Sequence, residues 1–388
     1  MKIAVVTERI EGWRGGAETS TLEIAHLLAA RGHQVHVITA SRCPSPPDLT
    51  IHHISLGITL KPLRTAKFVR RATKFVTDEK FDIVHAVLPM PAADIYQPRG
   101  GLVHETMSRN VALRPNARQK LMKRAAAAMN IKHRGLLDLE RDLFRDGGPA
   151  IIAISQYVAR QCEAWYSAKP PRVRVVFNGV QAPVEAPDRV AAHRVAIRKQ
   201  YDIGDNEMVL VFVAHNFRLK GLAPLLEACG KLVAGGFRDF RLLIVGRDNP
   251  TRFAKQVAAL QLSQRVIFTG PTQRSGMFLN AADVLVHPTY YDPCSRVVLE
   301  ALAHGVPCIT TVYNGASELM QDGREGYILP TPDDINVMAE RIRSLASVEL
   351  RRKMSENAIA LRERISMSRH VDELCAIYEE IVASRIAH

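Results

Sequence analysis

Residues 2–40 read KIAVVTERIEGWRGGAETSTLEIAHLLAARGHQVHVITA. Two short β-branched runs, KIAVVTE and QVHVITA, flank a stretch of helical periodicity from about Glu18 to Arg31. Strand, helix, strand is the unit of a parallel sheet with helices on its faces. The pattern continues outward through TIHHISL, a helix near Arg64–Thr77, FDIVHAVL, AIIAISQ and RVRVVFNGV. A polar, Pro- and Ala-rich stretch, QAPVEAPDRVAAHR, interrupts it. A second series then follows: MVLVFVAHN, RLLIVGRD, VIFTG, DVLVHP, PCITT and GYILP. The expected architecture is α/β, two Rossmann-like domains with parallel sheets facing across a cleft. The first is expected over residues 1–180 and the second over 181–366, with a last helix, 367–388, crossing back to the first.

Composition agrees with this size. A chain of 388 residues, 47% hydrophobic, is globular and too long for one core. No apolar run approaches the ~20 residues of a membrane span, and the N-terminal stretch has a strand pattern instead of a signal peptide's long apolar segment. Folding in the cytosol is expected. The six cysteines are scattered, with no C-x-x-C pair and no zinc-ligand spacing, so they read as reduced thiols. The formal charge of +13 draws the protein to polyanions: nucleic acid, an anionic membrane or phosphorylated small molecules.

In open α/β sheets ligands bind beyond the carboxyl ends of the strands, so the strand-to-helix loops are where chemistry is sought. In the first loop, Gly15 and Gly16 allow close backbone approach, and the helix behind them offers unpaired N–H groups to an anion. The same pair also suits a plain turn. The G-x-G-x-x-G and G-x-x-x-x-G-K-[ST] patterns are both absent, which argues against a dehydrogenase or a P-loop enzyme. In VAHNFRLKGLAPLLEACGKL, Arg218 and Lys220 precede Gly221 and a helix; they could neutralise a diphosphate or form a solvated basic turn. In YYDPCSRVVLEALAHGVPCITT, Asp292 lies in a loop and Glu300 inside the helix that Gly305 ends. A carboxylate there complements the helix dipole or receives a pair of sugar hydroxyls.

Together these stretches resemble the retaining glycosyltransferases of family 4, which have the GT-B fold, and the resemblance covers nearly the whole chain. Its most specific mark is the E-x7-E pattern, here DPCSRVVLE, with Asp292 in place of the first Glu and Glu300 as the second. GGAE at Gly15–Glu18, FNGV at Phe177–Val180, FRLKG at Phe217–Gly221, IVGRD at Ile244–Asp248 and NGASELMQDGREGYIL support it. Within the family the chain is most similar to the lipopolysaccharide-core glucosyltransferases, through VGRDNPTRF, AADVLVHPTYYD and MPAADIYQPRG.

The resemblance implies a nucleotide-sugar donor, UDP-glucose, and a lipid-linked saccharide acceptor such as core heptose. Glu300 would accept hydrogen bonds from the ribose hydroxyls and Asp292 would meet the donor sugar. Lys220, with Arg218, would hold the leaving diphosphate, and Gly15 and Gly16 would donate backbone N–H groups to it, so no metal or other cofactor is expected. Two departures are visible: Asp292 is one methylene shorter than the family's Glu, and Arg218 stands nearer the Lys than the family's Arg. By the same resemblance Asp94, in PAADIYQP, is the candidate base or acceptor-orienting residue, and His85 is the alternative from the end of its strand. Retention is expected to proceed by front-face displacement.

Residues 107–135 carry eight Lys or Arg (Arg109, Arg114, Arg118, Lys120, Lys123, Arg124, Lys132 and Arg134) and no Asp or Glu. Leu121, Met122, Met129 and Ile131 add apolar groups, which suits peripheral attachment to an anionic cytoplasmic face of the inner membrane. A solvated basic helix is the plain alternative. Rival functions are a nucleotide-sugar 2-epimerase of the same fold, a noncatalytic nucleotide-sugar binder and a nucleic-acid binder. The last lacks any recognised motif, and aromatic residues are only 6%.

Overall fold

The computed structural model describes residues 1–11, 15–114, 116–145, 147–169, 172–181 and 185–386. The chain divides into two compact units, Met1–Gly179 with Met367–His388, and Val180–Ser366. The expected α/β architecture is present: each unit is built on one all-parallel, Rossmann-like sheet.

The first sheet contains β1 (Lys2–Val6), β2 (Gln34–Thr39), β3 (Thr50–His53), β4 (Ile83–Ala86), β5 (Ile95–Tyr96), β6 (Ala150–Ala153) and β7 (Val173–Val175). Their order across the sheet is β3-β2-β1-β4-β5-β6-β7, which reverses direction between β1 and β4. The second contains β8 (Met208–Val213), β9 (Phe240–Val245), β10 (Val266–Gly270), β11 (Val284–Val286), β12 (Cys308–Thr311) and β13 (Gly326–Leu329). Its order, β10-β9-β8-β11-β12-β13, reverses between β8 and β11. The loops leaving β8 and β11 therefore flank the switch point where such sheets bind ligands.

Both sheets are apolar on two faces, as their sequence runs require. Leu210, Phe212, Leu242, Ile244, Val284, Val286 and Ile309 are all 0% exposed beneath the helices of the second unit. In the first unit, Ile3, Val5, Val35, Val37 and Ile83 pack with Ile24, Ala25 and Leu28 of the helix Gly16–Ala30. The C-terminal helix Met367–Ile386 completes that core with Met367, Val371, Leu374, Ile377 and Tyr378.

Every expected strand run holds a strand. The reading overlooked β5, whose two residues are too few for periodicity to register. That omission decides the place of Asp94. A strand that runs parallel to β4 must begin at the amino-terminal edge, so the chain turns back after Ala86 and Asp94 lies level with Val84. Its carboxylate accepts a 2.7 Å bond from the Val84 N–H and pairs with Arg385 of the C-terminal helix, whose guanidinium also reaches the Asp82 carbonyl. Asp94 thus ties the sheet's amino-terminal edge to the C-terminal helix. The assignment of Asp94 as base is corrected on this ground, since it sits at the edge away from the loops that bind ligands. His85 is no replacement: it is 1% exposed, its Nδ1 lies 2.6 Å from the Tyr378 hydroxyl, and burial, with Arg99 nearby, pushes its pKa down to about 3.

Candidate active site

The second unit's site begins with an aromatic anchor. Phe217, 1% exposed, packs among Phe212, Phe253 and Phe268 and fixes the start of the loop that leaves β8. Asp248 accepts the Phe217 N–H at 2.9 Å, and Asn216 Oδ1 accepts the Leu219 N–H at 3.0 Å. The turn then closes at Gly221, with φ +82°, where an added Cβ would stand 2.0 Å from the Pro288 carbonyl oxygen. Only glycine permits that approach. It brings the β8 loop against the β11 loop, where the Tyr290 N–H donates to the Leu219 carbonyl at 3.0 Å.

Across this seam the Lys220 ammonium meets Asp292 Oδ2 at 2.6 Å and the Tyr291 carbonyl at 2.9 Å. The two side chains are 19% and 14% exposed, so the pair is shielded yet reachable. Burial alone would raise the Asp292 carboxyl; Lys220 and the imidazole of His287 outweigh it and hold the group well below the usual carboxylate range. His287 lies beneath, 1% exposed, with Nε2 3.6 Å from Asp292 Oδ2 and 3.5 Å from Ser295 Oγ. Burial lowers the pKa of this imidazole. Facing a carboxylate, Nε2 is the nitrogen that carries the proton.

Asn314, fully buried, shapes the rest of the loop. Its Oδ1 accepts the N–H groups of Ser295 at 3.0 Å and Ala316 at 3.1 Å, while its amide donates to Thr310 Oγ1 at 2.9 Å. Asp292 is stitched to the same segment through the Tyr313 carbonyl and the Gly315 N–H, each at 2.9 Å. From there the helix Arg296–Ala303 starts, with Ser295 as its cap residue. Glu300 stands in its second turn, and Arg296 Nε donates to Glu300 Oε1 at 2.7 Å. Both side chains are less than one-fifth exposed.

Of the expected site residues, Lys220 and Asp292 are therefore in direct contact, and Glu300 follows on the helix that grows out of the Asp292 loop. Arg218 is on the exposed side of the β8 loop, two residues before Lys220. Gly15 and Gly16 belong to the other unit, at the start of the helix Gly16–Ala30 after β1; residues 12–14 of that loop lie outside the described residues. Ser20 in the same helix donates to the Gly16 carbonyl at 2.7 Å and receives the buried Arg99 at 2.9 Å. Sequence reading missed Asp248, His287 and Asn314 as positioning groups. Asp248 lay inside the quoted IVGRD, but nothing in a strand end says which backbone N–H it will accept. Among the described residues no group of three or more His, Cys, Asp or Glu is placed to hold a metal ion.

A seam at a switch point, with a shielded ammonium and two carboxylates, defines a site suited to a polar ligand that carries negative charge. The comparisons with known proteins give the family. Residues 14–182 match the model described as Glycosyltransferase Family 4, and residues 194–361 match that of Glycosyl transferases group 1. The chain belongs to the family 4 glycosyltransferases of GT-B fold and is a glycosyltransferase. It is 24% identical over 349 residues to the lipopolysaccharide glucosyltransferase WaaG of Escherichia coli (strain K12), covering 89% of this chain and 90% of that one. The crystal structure of WaaG, a glycosyltransferase involved in lipopolysaccharide biosynthesis, superposes with a TM-score of 0.80 at 22% identity, over 97% of this chain and 99% of the other. Anabaena Alr3699/HepE in complex with UDP-glucose has the same fold, with a TM-score of 0.73 at 17% identity over 98% of this chain and 100% of that one.

Proposed function

We propose that this enzyme moves glucose from UDP-glucose, with retention of configuration, to a lipid-linked saccharide such as the heptose of a lipopolysaccharide core. The observation that carries the reading is the Lys220–Asp292 pair at the switch point of the second unit, with Glu300 eight residues on. The likeness to WaaG supports the acceptor class, and the UDP-glucose complex of a protein of the same fold supports the donor.

On this reading Glu300 takes the ribose hydroxyls, and Asp292 contacts the sugar. Lys220 turns from Asp292 to the diphosphate as charge builds on the departing oxygen, a contribution made mainly in the transition state. Arg218 adds a second cation, and Gly15 and Gly16 of the first unit keep their expected role as backbone donors to an anion. The charge on the leaving group is then met without a divalent ion. With Asp94 at the wrong edge and His85 enclosed, the acceptor proton passes to the leaving diphosphate in a front-face displacement.

The same reading places the enzyme at the cytoplasmic face of the inner membrane through residues 107–135. In support, the helix Ala117–Ala128 buries no residue, and Leu121, Met122, Met129 and Ile131 are each more than 60% exposed. Arg109 contributes less than its charge suggests, because it pairs with Glu105 at 2.6 Å. No described helix is long and apolar enough to cross a membrane.

The deciding experiment incubates the protein with UDP-glucose and a heptose-terminated core acceptor, following UDP release and the anomeric configuration of the product. An α-linked glucoside supports the proposal. Release of UDP with another sugar donor only, or formation of an epimer without acceptor, would replace it.

A further inference from the structure

A second cationic, apolar element lies outside the segment just described. Residues 57–77, GITLKPLRTAKFVRRATKFVT, contain six Lys or Arg and no Asp or Glu. Ile58 is 106% exposed, Leu60 74% and Leu63 46%, three large apolar side chains within six residues. They precede the helix Arg64–Glu79, which buries Thr65, Phe68, Val69, Ala72 and Val76 against the first sheet. At ~100° per residue, Arg64, Lys67, Arg70, Arg71 and Lys74 fall within an arc of roughly 120° on the opposite side. Isolated surface leucines are unremarkable, but an apolar loop tip continuous with a helix face that is cationic from Arg64 to Lys74, with Asp78 joining it only in the last turn, is the chemistry of an interfacial membrane element.

The fold places this element beside the other one. The turn Lys61–Leu63 and the helix Arg64–Glu79 both pack against the helix Ile131–Leu143, which follows the unburied helix Ala117–Ala128. The acids exposed on that neighbouring helix are already engaged, Asp138 with Arg141 at 3.5 Å and Asp142 with Arg145 at 3.1 Å. We infer that Ile58 and Leu60 enter the headgroup region of an anionic bilayer while Lys61, Arg64 and Arg70 contact its lipid headgroups, so that the membrane face of this enzyme has two elements from separate parts of the chain. The inference extends the membrane part of the proposed function and does not depend on which sugar is moved.

The test is sedimentation of the full chain with phosphatidylcholine vesicles with and without phosphatidylglycerol, a readout that involves no turnover. Each cation removed near an anionic surface lowers partitioning roughly fivefold. The triple variant Lys61→Gln, Arg64→Gln, Arg70→Gln is therefore expected to bind anionic vesicles roughly a hundredfold less. Ile58→Ser with Leu60→Ser should weaken binding by at least tenfold, with an unchanged melting temperature in both variants. Undiminished sedimentation of both would overturn the inference. If binding is lost only in a Lys120→Gln, Lys123→Gln, Arg124→Gln variant, the membrane reading stands and the second element falls. If the apolar double variant binds normally and the cationic triple variant instead loses RNA binding, the face belongs to nucleic acid.

Discussion

Replacing Asp292 by Asn separates the two duties of the Lys220–Asp292 pair. The substitution keeps the side chain's shape and leaves the backbone bonds to Tyr313 and Gly315 in place. It removes one charge. At 2.6 Å the Coulomb attraction is about 6 kcal/mol with an effective dielectric of about 20, most of it offset by the desolvation of both groups. The net worth of a charge-assisted bond of this kind is roughly 1.5–3 kcal/mol. An ammonium released from Asp292 has about 1.5 kcal/mol more to offer a competing anion, which is about a tenfold gain in affinity. Asp292→Asn should therefore bind UDP about tenfold more tightly by titration calorimetry, bind uridine unchanged, and transfer sugar far more slowly. UDP affinity that stays the same or falls would refute the idea that Lys220 exchanges a carboxylate for a diphosphate. An equal gain for uridine would show that the effect has nothing to do with phosphate.

Lys220→Ala should lower kcat by roughly 10²–10³ with a smaller change in KM, because the charge it meets grows as the bond breaks; a change confined to KM would make it a ground-state contact. Glu300→Ala should weaken UDP-glucose binding by roughly 1.5–3 kcal/mol, with little further loss when the donor lacks its ribose hydroxyls; additive losses would remove Glu300 from the ribose. Asp94→Asn should retain most transfer activity, whereas Asp94→Ala, which strands the Val84 N–H, should cost about 1–3 kcal/mol in urea unfolding; a collapse of turnover in a folded Asp94→Asn protein would restore a chemical role. The pH dependence of stability follows from Asp292, whose folded carboxyl titrates below its unfolded value. In acid the unfolded chain then binds the extra proton, so the pair's contribution is complete above about pH 4 and declines as the pH falls further. Urea midpoints of Asp292→Asn should show a shallower acid limb than the parent, and parallel limbs would contradict the assignment.

The fold was legible because parallel strands buried on both faces leave continuous apolar runs, and MVLVFVAHN or DVLVHP can hardly be read otherwise. Lys220 and Asp292 were legible for a related reason. Each lies in the loop that leaves a strand's carboxyl end, where chain order and spatial order agree. Asp94 shows where that agreement stops. It comes after β4 in the sequence but immediately before β5, and residues that lead into a parallel strand lie at the opposite edge from residues that leave one. Two residues of strand, Ile95 and Tyr96, carry that whole distinction. His287 and Asn314 were invisible for another reason: their roles depend on which backbone groups the neighbouring loops present, and that is fixed only after those loops have closed around Gly221 and Pro288.

The return of the C-terminal helix to the first unit also sets an order of assembly during synthesis. Residues 180–366 form an uninterrupted unit with its own core, whereas the first sheet lacks Met367, Val371, Leu374, Ile377 and Tyr378 until the last part of the chain has been made. The second unit can close without the last helix, while the first still exposes Ile24, Leu28 and their neighbours until that helix docks, the reverse of the usual amino-to-carboxyl order of domain folding. A chain ending before residue 367 would thus present a finished second unit joined to a chaperone substrate.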